Sequence, residues 1–178
     1  MKIVGAVRAV WVIGWILVLP LAAAAWDDLI DEHCVSHGIP KEIVHAIIEV
    51  ESAGHPFAIG VAIQGVSHSY FLDHEPDAVL LLTEFLTVTN NVGIGLMQIS
   101  WRSWGDKLGV APRDLLEPSL NIRLACRRIL KPELDGPGAL WERLGRYHSL
   151  TPALRDAYGR KIIARILKMS GPSSTRGF

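Results

Sequence analysis

The chain has 178 residues, 49% of them apolar, and carries 18 basic side chains against 18 acidic ones. That length fits one domain with a real hydrophobic core, and the composition excludes a disordered chain, a collagen-like repeat and a multi-span membrane protein. Balanced charge gives no electrostatic case for nucleic-acid binding, which shows as a basic excess.

Residues 1–25 read as a cleavable secretory signal peptide. Lys2 and Arg8 precede the apolar run from Ala9 to Leu19, then Pro20 and the small residues Ala22 to Ala25. Small side chains at an A-x-A site suit signal peptidase, which places cleavage before Trp26. The alternative is an uncleaved anchor, for which the run is marginal in length and interrupted by Pro20. Removing the leader leaves 16 basic residues against 18 acidic ones. On either reading the domain works outside the cytoplasm, and the expectation is a periplasmic location.

Residues 26–169 are expected to form one mainly α-helical domain, with a disordered tail over 170–178. Trp26, Leu29, Ile30 and Cys34 recur at helical spacing up to Gly38, a good helix terminator. Pro40 stands ahead of a helix over 41–52. Phe57, Ile59, Val61 and Ile63 then alternate, and a Gln64-Gly65 turn returns the chain through Val66–Phe71 as a small β-hairpin. Ala78, Val79, Leu82, Phe85 and Leu86 restore the helical period, with Phe85 and Leu86 expected in the core. Asn90 to Gly93 reads as a turn. Pro118 opens a helix carrying Leu120, Leu124 and Ile129, and Thr151-Pro152 starts a last helix through Leu154, Tyr158, Ile162 and Ile166.

Cys34 and Cys126 are the only cysteines. An oxidising compartment favours a disulfide between them, and two buried thiols that never meet are the alternative.

Two segments offer chemistry. In the helix over 41–52, Val44, Ile48 and Glu51 share one face. A carboxyl against an apolar wall resists ionisation and can hold a proton near neutral pH for a leaving oxygen. Ser52 beside it can orient a polar neighbour. On spacing alone, a solvated residue at a frayed helix end is the favoured reading of Glu51. The second segment is Gly93-Ile94-Gly95-Leu96-Met97-Gln98-Ile99-Ser100-Trp101. Its glycines permit close backbone approach, Gln98 offers a donor and an acceptor, and Trp101 and Trp104 offer flat faces to sugar rings. As composition it also reads as a turn into a core segment.

Taken together, the Glu51-Ser52 pair and Gly95-Leu96-Met97-Gln98-Ile99 resemble the lytic transglycosylase domain of the soluble-transglycosylase, goose-lysozyme-like superfamily. Glu117-Pro118-Ser119-Leu120-Asn121-Ile122 and Tyr147-His148 fit the same pattern over roughly residues 29–165. His148 stands where the family has asparagine. The 44 residues from Glu51 to Gly95 are longer than in compact members, and residues 57–86 fill the gap, expected as one wall of a groove. That layout looks most like transglycosylases encoded with conjugative elements, pili and type IV secretion systems.

The resemblance implies a lysozyme-like helical domain with a small β-hairpin insertion. It implies an exported lyase that cuts the glycan strands of peptidoglycan, with Glu51 as the catalytic acid. Ser52, Met97, Gln98, Trp101 and Tyr147 are the implied substrate contacts. It implies no cofactor and no metal. Expected partners are glycan strands and components of an envelope-spanning apparatus, with the protein a monomer. Two alternatives stand beside it. A hydrolytic muramidase needs a second carboxylate, for which Asp73, Glu75 and Asp106 are candidates. A catalytically idle peptidoglycan-binding module is the other.

Rival chemistry is weak. His33 and His37, four apart, share a helix face near Cys34, but no convincing third and fourth metal ligand follows, and Cys34 is better used in the disulfide. Gly65-Val66-Ser67-His68-Ser69 lacks the final glycine of a nucleophile elbow. His45 reads as a surface or groove residue.

Overall fold

The computed structural model describes residues 25–170. The expected leader and disordered tail lie outside the described residues, apart from Ala25 and Ser170.

Helix α1 (Asp27–His33) begins with two acids, Asp27 and Asp28, where the helix dipole favours negative charge. A 3₁₀ turn, Val35–His37, follows and ends at Gly38 in the left-handed region. Helix α2 (Lys41–Ser52) starts after Pro40, as its sequence predicts, and buries Ile43, Val44, Ala46, Ile47, Ile48 and Ser52. More than one face is covered, so α2 is the central helix and not a surface one. Full burial of an aliphatic side chain contributes roughly 1.5–3 kcal/mol, which makes this helix a principal source of stability.

The hairpin forms where expected, as β1 (Ala58–Ile63) and β2 (Val66–Phe71). Gln64 and Gly65 both have positive φ, the conformation that matches a two-residue turn to strand twist. It does not stand alone. After α3 (Glu75–Val88), strands β3 (Val92–Ile94) and β4 (Ile99–Ser100) complete a four-stranded sheet in the order β2-β1-β3-β4. Val92 and Gly93, expected in a turn, instead pair with Val61 and Gly60. Three residues carry no readable period, so only the tertiary partner β1 makes them a strand. Phe85 and Leu86 pack against the core from α3, as expected.

Helix α4 (Trp101–Leu108) and a 3₁₀ turn (Pro112–Leu116) lead to α5 (Pro118–Leu124), a π-helical turn (Ala125–Leu130) and α6 (Lys131–Asp135). Glu117 caps α5 by accepting from the backbone N–H groups of Ser119 and Leu120. The π turn carries Cys126, whose Cα lies 5.7 Å from that of Cys34, and the two are disulfide-paired. Helix α7 (Leu140–Arg146) then packs closely on α8 (Pro152–Met169). A Cβ on Gly159 would stand 1.8 Å from the Trp141 carbonyl oxygen, and one on Gly145 2.1 Å from that of Arg155. These two glycines set how near the helices come. Leu154, expected on the buried face of α8, is 55% exposed.

Asn121 ties the helical and sheet parts together. Fully buried, it accepts from the Met97 N–H at 2.9 Å and donates to the carbonyls of Ile94 and Leu115 at 2.9 and 2.7 Å. Asn121→Ala would strand three buried backbone groups, each costing about 1–3 kcal/mol. A loss of about 3–5 kcal/mol is expected from urea unfolding of this variant. A loss under about 1 kcal/mol would mean that water replaces the amide.

Candidate functional site

Glu51 lies in the last turn of α2, where Ala53 and Gly54 take left-handed conformations and turn the chain away. Its carboxyl therefore ends a buried helix and lines a groove of about 880 Å³. One side of the groove comes from the β3–β4 segment and α4, through Gly93, Gln98, Arg102 and Trp104. The other comes from Tyr147, His148 and the residues just after α7. A smaller hollow of about 300 Å³ also opens onto Glu51 and His148, on the α8 side.

The Tyr158 hydroxyl donates to Glu51 Oε1 at 2.5 Å. Burial pushes the Glu51 carboxyl up to about 7, against the opposing effects of the Tyr158 hydrogen bond and the positive charge of Lys161. The phenols of Tyr147 and Tyr158 are pushed well above their ordinary range, by burial first and then by the Glu51 carboxylate. His148 stacks on the Tyr158 ring, centroids 4.7 Å apart and planes 3° from parallel. Burial and then Lys161 lower its pKa. The site thus combines a carboxyl that holds its proton near neutrality with neutral aromatic donors around it.

The expected ligand contacts divide into two sets. Gln98 and Tyr147 line the groove with Glu51. The Gln98 amide donates to the carbonyls of Ala58 and Gly95 at 3.0 and 2.9 Å. Its Oε1 lies over Gly60 and Gly93, where any Cβ would come within 2.7 Å. Tyr147 donates to the Met97 carbonyl at 2.7 Å. Ser52 and Met97, by contrast, are fully buried. Ser52 donates to the Ile48 carbonyl and accepts from the Gly54 N–H, so its side chain shapes the end of α2 from beneath the surface. Met97 is core filler, and only its backbone carbonyl serves the site, as the anchor of Tyr147. Trp101 packs beneath Gly105, and Trp104 is the tryptophan that lines the groove.

Other expectations also change. No residue from 57–86 lines the groove, because the hairpin continues the sheet outward from β3 and β2 is its exposed edge. Of the three candidate second carboxylates, Asp106 lines the groove and Asp73 and Glu75 do not. His33 is buried against Ser119 and His37 faces Ser36, so they do not converge. Ser67, His68 and Ser69 lie exposed on β2, away from any helix start. His45 hydrogen-bonds Asp27 at 2.8 Å. Tyr158 and the paired Glu133 and Arg146 enter the site unannounced. Tyr158 reads in sequence as one more apolar position of α8, and nothing in that pattern points its hydroxyl at residue 51.

A profile described as the transglycosylase SLT domain matches residues 28–162. No curated protein and no solved structure matches the chain.

The raised Glu51 pKa makes stability depend on pH. Between the ordinary value of 4.5 and about 7, the folded state holds a proton that the unfolded state releases. That contribution is complete below pH 4.5 and lost as pH rises through about 7. Glu51→Gln removes the burden of a buried charge. Thermal unfolding at about pH 8 should show the variant more stable than the parent by roughly 1–3 kcal/mol, with the gap closing near pH 4. A constant gap over that range would show that the carboxyl ionises as it does in water.

Proposed function

As a member of the transglycosylase SLT domain family, the chain is a transglycosylase that acts on peptidoglycan, and we propose that it is a lytic transglycosylase with Glu51 as its single catalytic acid and base. The observation that carries the proposal is the Glu51 carboxyl that lines the groove, hydrogen-bonded by Tyr158 and enclosed so that its pKa is pushed up to about 7.

Glu51 gives its proton to the glycosidic oxygen between N-acetylmuramic acid and N-acetylglucosamine as the C1–O bond breaks. The carboxylate left behind takes a proton from the sugar's own 6-hydroxyl, whose oxygen closes on C1. The product is a 1,6-anhydro ring, no water is consumed, and Glu51 is again protonated. Tyr158 steadies the carboxylate in the middle of this cycle by donating to Oε1. A role for Gln98, Tyr147 and Trp104 in holding the strand is supported by their lining of the groove. General acid–base catalysis supplies roughly 10²–10⁴-fold, so fixed geometry supplies much of the remaining acceleration.

The pattern of residues 1–25 supports export to the periplasm, with a mature chain that starts at Trp26. The stretches Asn91–Trp101 and Arg146–Pro152 support work beside a conjugation, pilus or secretion apparatus, by their likeness to transglycosylases encoded with such systems. Recovery of a periplasmic protein with Trp26 as its first residue checks the export.

A hydrolytic reading is favoured by Asp106, which lines the same groove; the other carboxylate there besides Glu51, Glu133, is paired with Arg146. Mass spectrometry of muropeptides released from purified peptidoglycan separates the two. Products one water lighter than reducing-end muropeptides are expected, with none from Glu51→Gln. Reducing-end products sensitive to Asp106→Asn would establish hydrolysis.

The rate has its own pH signature. Because the acid must be protonated, turnover should fall as pH rises through about 7. Tyr158→Phe removes a hydrogen bond that favours the carboxylate, which moves this fall to higher pH while the maximum rate drops roughly tenfold or more. An unmoved profile would place the titrating group elsewhere.

A further inference from the structure

The smaller hollow beside Glu51 has a chemistry unlike that of the main groove. Its walls are Val50 from α2 and Leu154, Ala157 and Tyr158 from α8, with His148 at the rim it shares with the groove. Residues 154, 157 and 161 follow one another at helical spacing, so Lys161 stands at the end of an apolar stripe. Among the described residues Lys161 pairs with no acid, whereas Arg165, one turn on, is held by Glu49. Leu154 meanwhile leaves more than half of its surface uncovered. Apolar walls closed by one free ammonium do not suit the hydroxyl-covered face of a sugar. They suit a short aliphatic group that ends in a carboxylate.

We propose that this hollow is a subsite for the carboxylate-bearing substituent of the glycan, with Lys161 as the residue that recognises it. The inference rests on the glycan-cleaving reading of the groove and names which strands that groove prefers. Two groups in peptidoglycan carry this chemistry: the lactyl ether of muramic acid when its carboxylate is free, and the stem peptide attached there. Either brings a small aliphatic portion for Leu154 and Ala157 and an anion for Lys161. A protonated Glu51 leaves the Lys161 charge unneutralised, so the subsite is open to an anion in the same protonation state in which the acid is ready to act.

The test is calorimetric titration at about pH 6, where Glu51 in the parent is mostly protonated, with Glu51→Gln as the background so that bound strands stay intact. Three probes are compared: an N-acetylglucosamine oligomer, a peptide-free muramic acid glycan with free lactyl carboxylates, and the same glycan with stem peptides. Lys161→Gln should lower the affinity for a carboxylate-bearing glycan, relative to the uncharged oligomer, by about tenfold. Lys161→Arg should restore most of the preference, and added salt should erode it. The carboxylate glycan that shows the loss identifies the source of the anion. An equal loss for all three probes, or none for any, overturns the subsite while leaving the cleavage reading intact. If no probe binds and the parent releases no fragment from peptidoglycan, the cleavage reading fails and the subsite with it.

Discussion

The hydrogen bond from Tyr158 to Glu51 joins two residues 107 positions apart, and the site depends on it. It exists because α8 lies against both α2 and α7. Gly145 and Gly159 allow the α7–α8 approach, since a methyl group at either would meet a backbone carbonyl. Tyr158 is the neighbour of Gly159, so the residue that permits the contact also sets where the phenol stands. Burial raises the carboxyl pKa and the phenol lowers it, and the balance near 7 comes from this packing. With less enclosure the carboxyl would be ionised at neutral pH. Without the phenol, the ionised Glu51 carboxylate would lose its hydrogen-bond donor.

A second constraint holds the opposite side of the groove. The segment from Gly95 to Gln98 makes a tight reversal between β3 and β4, with φ of 77° at Gly95 and 47° at Gln98. Gly95 is required twice over, by that φ and by the Asn121 amide and Leu115 carbonyl, each 2.4 Å from where a Cβ would sit. Asn121 holds the reversal from below and Gln98 pins it across the sheet to Ala58. The Met97 backbone then connects both sides, with its N–H on Asn121 and its carbonyl on Tyr147. A motif that reads as ligand-binding is therefore mostly internal hydrogen bonding, with Gly93 and Gln98 as its residues that line the groove. The same holds for Glu117-Pro118-Ser119-Leu120-Asn121-Ile122, where Glu117 caps a helix and Asn121 braces the reversal.

Legibility differed by element for physical reasons. Helix α2 was readable to the residue and the β1–β2 hairpin to within one residue, because their periods are long enough to count and their ends carry Pro40 or Gln64-Gly65. Strands β3 and β4 were not, being too short to show alternation. Helix α7 was also missed, since Leu140–Arg146 has only 7 residues, too short for a helical period to show. Ser52, Met97 and Trp101 read as ligand contacts by their place in motifs; Ser52 and Met97 are fully buried, and the partly buried Trp101 ring lies against Gly105. The hairpin was placed in the groove wall by the length of its insertion, a quantity that carries no direction.

The sequence by itself determined the helical class, the position of Glu51 at the end of an apolar helix and the order of motifs that marks the family, because these are local periods and spacings. Only the tertiary structure decided which partners meet that carboxyl. Tyr158, Lys161 and His148 reach it through α8 and the loop before it, and Asn121 reaches the reversal from α5. Such contacts arise from how closely helices pack and how a backbone loop satisfies its polar groups, and neither leaves a period in the chain.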